Sequence, residues 1–233
     1  MNMSIIIPAY NEEQCIEHVT VELLAYLHGK DGEIILINDG SRDHTGDVIE
    51  SMSAKHPGRI RCIHHPTNAG YAATLRDGFA AAKYDWIFYT DGDGQYDPQE
   101  IAILQQFTSD ADFIVGYRKE RKDSLTRVVA AKVFNVIART LFDIPVRDID
   151  CSFKLMRSDR LRQFHIGSSG FLIDTEILAK AEQQGFTIRE TAITHRPRRS
   201  GKSSIRPVHV VETLSGFLWL KRELRRTRPV AAQ

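Results

Sequence analysis

The segment Tyr89-Thr90-Asp91-Gly92-Asp93-Gly94-Gln95 carries the sharpest chemical signal in the chain. Two carboxylates two residues apart, at the end of an apolar run, offer hard oxygen ligands. Mg²⁺ is typically held by one or two carboxylates together with substrate phosphates. Gln95 adds an amide oxygen, and the neighbouring glycines let the backbone turn and a ligand approach closely. An isolated pair of this kind is more often a solvated turn, and its place after a strand favours the metal. Two more polar clusters follow apolar runs. In Pro8-Ala9-Tyr10-Asn11-Glu12, Tyr10 can stack on a base and Glu12 can accept from a base or ribose. Taken alone, the same residues read as a helix start, with Asn11 as cap and Glu12 and Glu13 on the helix dipole. In Asn38-Asp39-Gly40-Ser41, Asp39 can hold a ribose hydroxyl, or the group can be a turn that caps a helix.

These residues need elements to hold them. Short buried runs at Ile5–Ile7, Ile34–Ile37, Ile60–Ile63, Trp86–Tyr89 and Phe113–Val115 read as strands. Helical spacing runs through Glu12–His28 and Tyr71–Ala82, Ser41 or Asp43 can cap another helix, and Pro98 suits a first helical turn. Strands alternating with helices predict an α/β fold with a mostly parallel central sheet flanked by helices. In such sheets ligands bind beyond the carboxyl ends of the strands, where the three clusters stand. The pattern does not give the strand order. After residue 118 the rhythm changes. Helices are expected at Arg127–Leu141, Asp174–Gln184 and Pro207–Arg226, and strands at Phe153–Met156 and Thr187–Thr194, with a basic loop over Arg196–Arg206.

Charge divides the chain in the same place. The 31 Lys and Arg nearly balance the 30 Asp and Glu, yet residues 1–117 hold 7 basic and 18 acidic side chains. Residues 118–233 hold 24 and 12. Such asymmetry points to working surfaces of opposite sign. A hydrophobic content of 42% supports a folded core. Three well-separated cysteines argue against a disulfide framework or zinc site and suit a reducing cytoplasm. No apolar run is long enough to span a bilayer, and the N-terminus has no secretory pattern. The absence of GxGxxG and GxxxxGK[ST] after any strand removes most of the case for dinucleotide oxidoreductases and P-loop enzymes.

Taken in order, the PAYNE, DGS and DGDGQ segments resemble those of family 2 glycosyltransferases of the GT-A (Rossmann-like) fold. The last is similar to the variant found in the dolichol- and polyprenyl-phosphate mannosyltransferase subgroup. The likeness continues through Val146-Arg147-Asp148 and Ser152-Phe153-Lys154 to Arg198-Arg199-Ser200-Gly201-Lys202-Ser203, and so covers about residues 4–205. The resemblance implies nucleotide-sugar binding by Pro8, Tyr10, Glu12, Asp39 and Asp91. It implies Mg²⁺ or Mn²⁺ held by Asp91, Asp93 and Gln95. It also implies an acceptor phosphate held by Arg118, Arg127, Arg198, Arg199, Lys202 and Ser203, with Asp93 and Arg118 at the catalytic centre. Asn38 departs from the pattern, standing where an acid is common. No QxxRW segment of processive synthases is present.

The expected arrangement is a nucleotide-sugar-binding half (1–117), an acceptor-binding half (118–206) and a basic amphipathic C-terminal helix and tail (207–233). The expected reaction is metal-dependent, inverting transfer of a hexose to polyprenyl phosphate, with GDP-mannose favoured and a UDP-hexose as the other donor. A phosphate monoester has its second pKa at about 6, so it attacks without the base that a sugar hydroxyl needs. Arg forks match phosphate oxygens and would hold it. Residues 196–233 carry 10 basic and 2 acidic side chains around an apolar run. The expectation there is peripheral attachment to the cytoplasmic membrane face, against a core-packing or dimerisation helix. A homodimer or an integral-membrane partner stays open, and no nucleic-acid partner is expected. Transfer to a saccharide or glycolipid hydroxyl, nucleotidyl transfer and a non-catalytic nucleotide-sugar sensor or adaptor remain the alternatives. His195 is read as structural.

Overall fold

The computed structural model describes residues 1–122, 124–197 and 208–227, with side chains from residue 215 onward in the last stretch. The β-branched runs form strands β1 (Met3–Ala9) and β2 (Gly32–Asn38), each buried along its whole length. They are followed by β3 (Ile60–His64), β4 (Trp86–Thr90), β5 (Phe113–Arg118), β6 (Phe153–Arg157) and β7 (Ile188–Ile193). The strands form one sheet in the order β3-β2-β1-β4-β6-β5-β7. β1 pairs in parallel with β2 and β4, β2 with β3, and β5 with β7. β6 lies between β4 and β5 and runs antiparallel to both. The mostly parallel sheet expected from the sequence is therefore present, with one reversed strand, the fifth of seven, inside it.

Helices cover both faces. They are α1 (Ile16–Tyr26), α2 (Thr45–Lys55), α3 (Tyr71–Ala81), α4 (Ile101–Gln105), α5 (Leu125–Phe142), α6 (Ser158–Leu161), α7 (Ile173–Gln183) and α8 (Val208–Arg226). Alternate side chains of each strand point to opposite faces. Ile5 and Ile7 thus meet Leu23 of α1 and Ile49 of α2, while Ile6 joins Leu75 and Phe79 of α3 on the other face. A third cluster joins Ala138 and Phe142 of α5, Leu178 of α7, and Phe217 and Leu220 of α8. The described part of α8 thus packs into the core through Phe217 and Leu220.

Several boundaries shift for identifiable reasons. α1 starts at Ile16 and not at Glu12, because the preceding loop is tied to the next one. Asn11 takes a left-handed conformation at φ 55°, its N–H donates to Ser41 Oγ at 3.0 Å, and its Oδ1 accepts from Arg42 N at 2.8 Å. Asn11 and Ser41 therefore join two loops and cap neither helix. Asp43 receives the Thr45 N–H at 3.1 Å at the start of α2. Pro98 opens a 3₁₀ turn, Pro98–Glu100, that leads into α4.

Candidate active site

The carboxyl ends of β1, β2, β4 and β5 deliver their exit loops to one edge of the sheet. Because β6 is reversed, its entry loop, Asp148–Ser152, reaches the same edge. Register makes this specific. Thr90 lies opposite Phe153, so Asp91 and Ser152 continue side by side beyond the paired strands. Ser152 Oγ donates to Asp91 Oδ2 at 2.7 Å, and Tyr71 Oη donates to Asp91 Oδ1 at 3.2 Å. Neither hydroxyl brings a positive charge. Burial first, and then the adjacent Asp93, push the Asp91 carboxyl up to about 7. Asp93 is itself buried, and its Oδ1 accepts the N–H of Gln95 at 3.1 Å. A half-buried and a buried carboxylate that repel one another, with the Gln95 side chain in the same loop, are the kind of oxygen donors a hard divalent cation takes.

The same β6 loop reaches the cationic side. Arg118, at the end of β5, donates from Nε to Asp148 Oδ2 at 2.7 Å and from Nη2 to Asp148 Oδ1 at 2.6 Å. Burial works against this guanidinium's charge, but Tyr96 and Asp148 beside it more than offset that and hold it above its ordinary range. Asp148 is held below the usual carboxylate range, because Arg118 outweighs its own burial. Arg118 is therefore a fixed buried cation whose fork is already engaged, and Arg121 stands 3.9 Å from the same carboxylate.

Lys154, fully buried on β6, fixes the loop from below. Its Nζ donates to the carbonyls of Ile149 at 2.9 Å and Cys151 at 2.6 Å, to Tyr89 Oη at 2.9 Å and to Asp174 at 2.5 Å. Tyr89 Oη also donates to Asp174. Between these anchors, the Asp150 carboxylate accepts no hydrogen bond from the described residues. Burial, followed by repulsion from Asp174, pushes it up to about 7.

On the nucleotide side, Gly40 is required by its surroundings. It has φ +64°, and a Cβ there would stand 2.4 Å from the carbonyl carbon of Thr67. The tight DGS turn aims Asp39 at the start of α3. Its carboxylate accepts from Ala69 N at 2.7 Å, Gly70 N at 3.0 Å and His65 Nδ1 at 2.8 Å. Asp39 therefore anchors the α3 entrance with three of its roughly four acceptor positions. Asn38 is held between Ser41 N and His64. Pro8 is buried within β1, and Tyr10 is half-buried in the loop that follows. Glu12 N donates to Thr45 Oγ1 at 2.9 Å.

Asp91, Asp93, Gln95 and Arg118 thus converge at one end of the sheet. Arg127 lies half-buried in the first turn of α5. Arg198, Arg199, Lys202 and Ser203 lie outside the described residues. The chain leading to them is clamped to the acidic loop. Arg196 N donates to Gln95 O at 2.7 Å, Gln95 Nε2 to Arg196 O at 3.3 Å, and the Arg196 guanidinium pairs with Asp97 at 2.6 Å. His195 is packed against Tyr96, and its Nδ1 accepts the Lys122 N–H at 3.1 Å. Tyr71, Asp150, Asp174 and Arg196 had no motif to mark them. Tyr71 stands at the start of α3, Asp174 at the start of α7 and Arg196 after β7, and only Asp150 arrives on the loop of the reversed strand.

A family model described as Glycosyl transferase family 2 matches residues 4–180. The chain is 28% identical over 211 residues to the dodecaprenyl-phosphate galacturonate synthase of Rhizobium johnstonii, covering 87% of this chain and 61% of that protein. It is 25% identical to the polyprenol monophosphomannose synthase of Mycolicibacterium smegmatis, covering 90% and 83%. A dolichyl-phosphate beta-glucosyltransferase of Drosophila melanogaster is 28% identical, with 83% and 66% covered. Among solved structures, glucosyl-3-phosphoglycerate synthase from Mycobacterium tuberculosis, crystallised with Mn²⁺, UDP and phosphoglyceric acid, superposes with a TM-score of 0.74. It is 17% identical and is covered to 80%, against 99% of this chain. The GT-A fold expected from the sequence is the one observed.

Proposed function

The chain belongs to glycosyl transferase family 2, and from that premise we propose that it transfers a hexose, with inversion, from a nucleotide diphosphate to the phosphate of a polyprenol. The observation that carries this reading is the Asp148–Ser152 loop. It touches the acidic pair through Ser152 and the buried guanidinium through Asp148, so a donor diphosphate and an anionic acceptor would meet over one rigid segment. The names of the relatives given above support a lipid-phosphate acceptor.

Residues 1–117 would bind the nucleotide-sugar, with Pro8, Tyr10, Glu12 and Asp39 around the nucleoside. Residues 118–206 would bind the acceptor, and 207–233 would complete the domain. Asp91, Asp93 and Gln95 would hold Mg²⁺ or Mn²⁺. The ion would supply charge stabilisation for the leaving nucleoside diphosphate. Arg118, fixed by Asp148, would present its remaining N–H edge to the acceptor phosphate. Arg127, Arg198, Arg199, Lys202 and Ser203 would complete that pocket. Asp148 keeps the guanidinium oriented before the acceptor arrives, which lowers the ordering cost of binding. No helix among the described residues is long and apolar enough to cross a membrane. We place the enzyme peripherally on a membrane, on its cytoplasmic face, with a homodimer or integral-membrane partner compatible with this.

A second reading, transfer to a hydroxyl, is favoured by Asp150. A carboxyl near 7 with no donor among the described residues has the properties of a general base, which a hydroxyl acceptor needs and a phosphate does not. The test is a donor screen, GDP-mannose first and UDP-hexoses next, against polyprenyl phosphate and against saccharide acceptors, with Mg²⁺ and Mn²⁺. Release of nucleoside diphosphate only with the lipid phosphate supports the first reading. Release only with a hydroxyl acceptor supports the second, and release of pyrophosphate overturns both.

A further inference from the structure

The acids around the β6 entry loop are not treated alike. Asp148 takes the Arg118 fork at 2.7 and 2.6 Å. Asp174, at the start of α7, takes the Lys154 ammonium at 2.5 Å and the Tyr89 hydroxyl. Asp150 makes no ion pair or hydrogen bond with the described residues. The buried ammonium below it is already committed. Lys154 Nζ carries three protons, and the carbonyls of Ile149 and Cys151, Tyr89 Oη and Asp174 all stand within 2.9 Å of it. Asp150 is half-buried, so its carboxylate loses part of its water and receives no internal donor in exchange. Such a group gains from any partner that brings hydrogen-bond donors. Among the described residues, no two further His, Cys, Asp or Glu side chains bring ligand atoms close enough to complete a cation site with it.

We propose that Asp150 binds hydroxyl groups of the donor's hexose and selects a neutral hexose over the corresponding hexuronate. Its position selects that occupant. Ser152, two residues after it, touches Asp91 on the diphosphate side, and Asp148, two residues before it, holds Arg118 on the acceptor side. The Cys151 N–H donates to Asp148 O at 3.3 Å, so Asp150 stands at the bend of the loop between those two contacts. In a displacement the transferred carbon lies between the leaving group and the nucleophile. The hexose therefore lies over the middle of this loop. That step rests on the donor and acceptor sides proposed above, while the unmet carboxylate stands without them. A carboxylate can accept one hydroxyl on each oxygen, and neighbouring ring hydroxyls of a hexose are spaced for that. Hydrogen bonds to an ionised acceptor are the stronger kind. A hexuronate instead brings a second carboxylate against Asp150, with Asp174 close enough to add to the repulsion.

The experiment is calorimetric titration of the full chain with Mn²⁺ present, comparing GDP with GDP-mannose and UDP with UDP-glucose, for the unaltered protein, Asp150→Ala and Asp150→Asn. An undiminished melting temperature checks the fold. Asp150→Ala is expected to bind the nucleotide-sugar at least about tenfold more weakly, and the matching nucleoside diphosphate within about twofold of the parent. Asp150→Asn keeps an acceptor oxygen and should recover most of that loss. The matching hexuronate, UDP-glucuronate or GDP-mannuronate, should bind the unaltered protein about tenfold more weakly than the neutral hexose, and Asp150→Asn should narrow that gap. Equal weakening of diphosphate and nucleotide-sugar in Asp150→Ala, no weakening of either, or a hexuronate preferred by the unaltered protein overturns the proposal. An unaltered protein that binds neither nucleotide-sugar overturns it together with the donor reading. Unchanged affinities with turnover slowed about a hundredfold or more also overturn it, and they move Asp150 to the base role and sink the lipid-phosphate reading. A sugar-selective loss of affinity, with no transfer to any prenyl phosphate by the unaltered protein, upholds the sugar contact and sinks the acceptor reading alone.

Discussion

Ser152 Oγ donates to Asp91 Oδ2 at 2.7 Å, and this bond joins two strands that run in opposite directions. It is one of two hydroxyl contacts that favour the charged form of a carboxylate otherwise held near 7. Ser152→Ala should therefore raise the Asp91 carboxyl further and make the proton a stronger competitor of the metal. A hydrogen bond to a charged group is worth about 1.5–3 kcal/mol. Calorimetric titration with Mn²⁺ should show affinity reduced about tenfold at about pH 6 and less at about pH 8. A loss of equal size at both pH values would mean that the serine acts through geometry alone.

The raised carboxyl of Asp91 also predicts how metal-free stability responds to pH. In the unfolded chain Asp91 ionises near the ordinary aspartate value of 3.8, and in the folded protein at about 7. Between those values the folded state binds the extra proton, so stability falls as pH rises through the window and levels above it. Asp150 has the same sign and window. Urea denaturation without metal should show this decline, and Asp91→Asn should flatten part of it. Adding Mn²⁺ should restore stability most above about pH 7, where the carboxylates are already ionised. Stability that rises across the window would contradict the assignment.

Arg118 and Asp148 form a buried pair, so deleting either partner strands the other. Asp148→Ala should cost about 3–5 kcal/mol in denaturant unfolding. Arg118→Lys keeps the charge but removes the fork. The expected outcome is an acceptor KM raised at least about tenfold, with nucleotide-sugar affinity within about twofold of the parent. Equal weakening of both would move the guanidinium out of the acceptor pocket.

Asp150 separates the two acceptor chemistries. Removing a general base costs about 10²–10⁴ in rate. Asp150→Asn should leave transfer to a prenyl phosphate within a few-fold, because that nucleophile is already ionised at neutral pH. A loss of a hundredfold or more in kcat at saturating acceptor would assign Asp150 the base role and favour a hydroxyl acceptor.

Much of this site is legible in the sequence because it is local. The apolar runs Ile34–Ile37 and Trp86–Tyr89 form strands at those positions, and a parallel strand places the polar residues that follow it at the ligand edge. What remained hidden depends on distant pairing. Phe153–Met156 reads as a strand, but nothing in it reveals that it inserts backwards between β4 and β5 and carries Asp148, Asp150 and Ser152 to the acids. Asp39 reads as a ribose ligand because DGS is a loop motif. The three donors it receives come from residues 65–70, which only the folded turn brings near. The apolar periodicity of α5 predicts a helix correctly but not which of its two apolar sides is covered. The Arg198–Ser203 loop lies outside the described residues, and its phosphate-binding role stays a proposal.

The chemical linkage of the product tests the central claim most directly. The unaltered protein and Asp93→Ala should be incubated with the productive nucleotide-sugar, Mg²⁺ and polyprenyl phosphate, and the lipid product then exposed to mild acid. The account predicts a lipid-linked sugar released by that treatment, as a glycosyl phosphodiester is, formed only by the unaltered protein, with nucleoside diphosphate in equal amount. An acid-stable glycoside, or near-normal turnover by a folded Asp93→Ala protein, would contradict it.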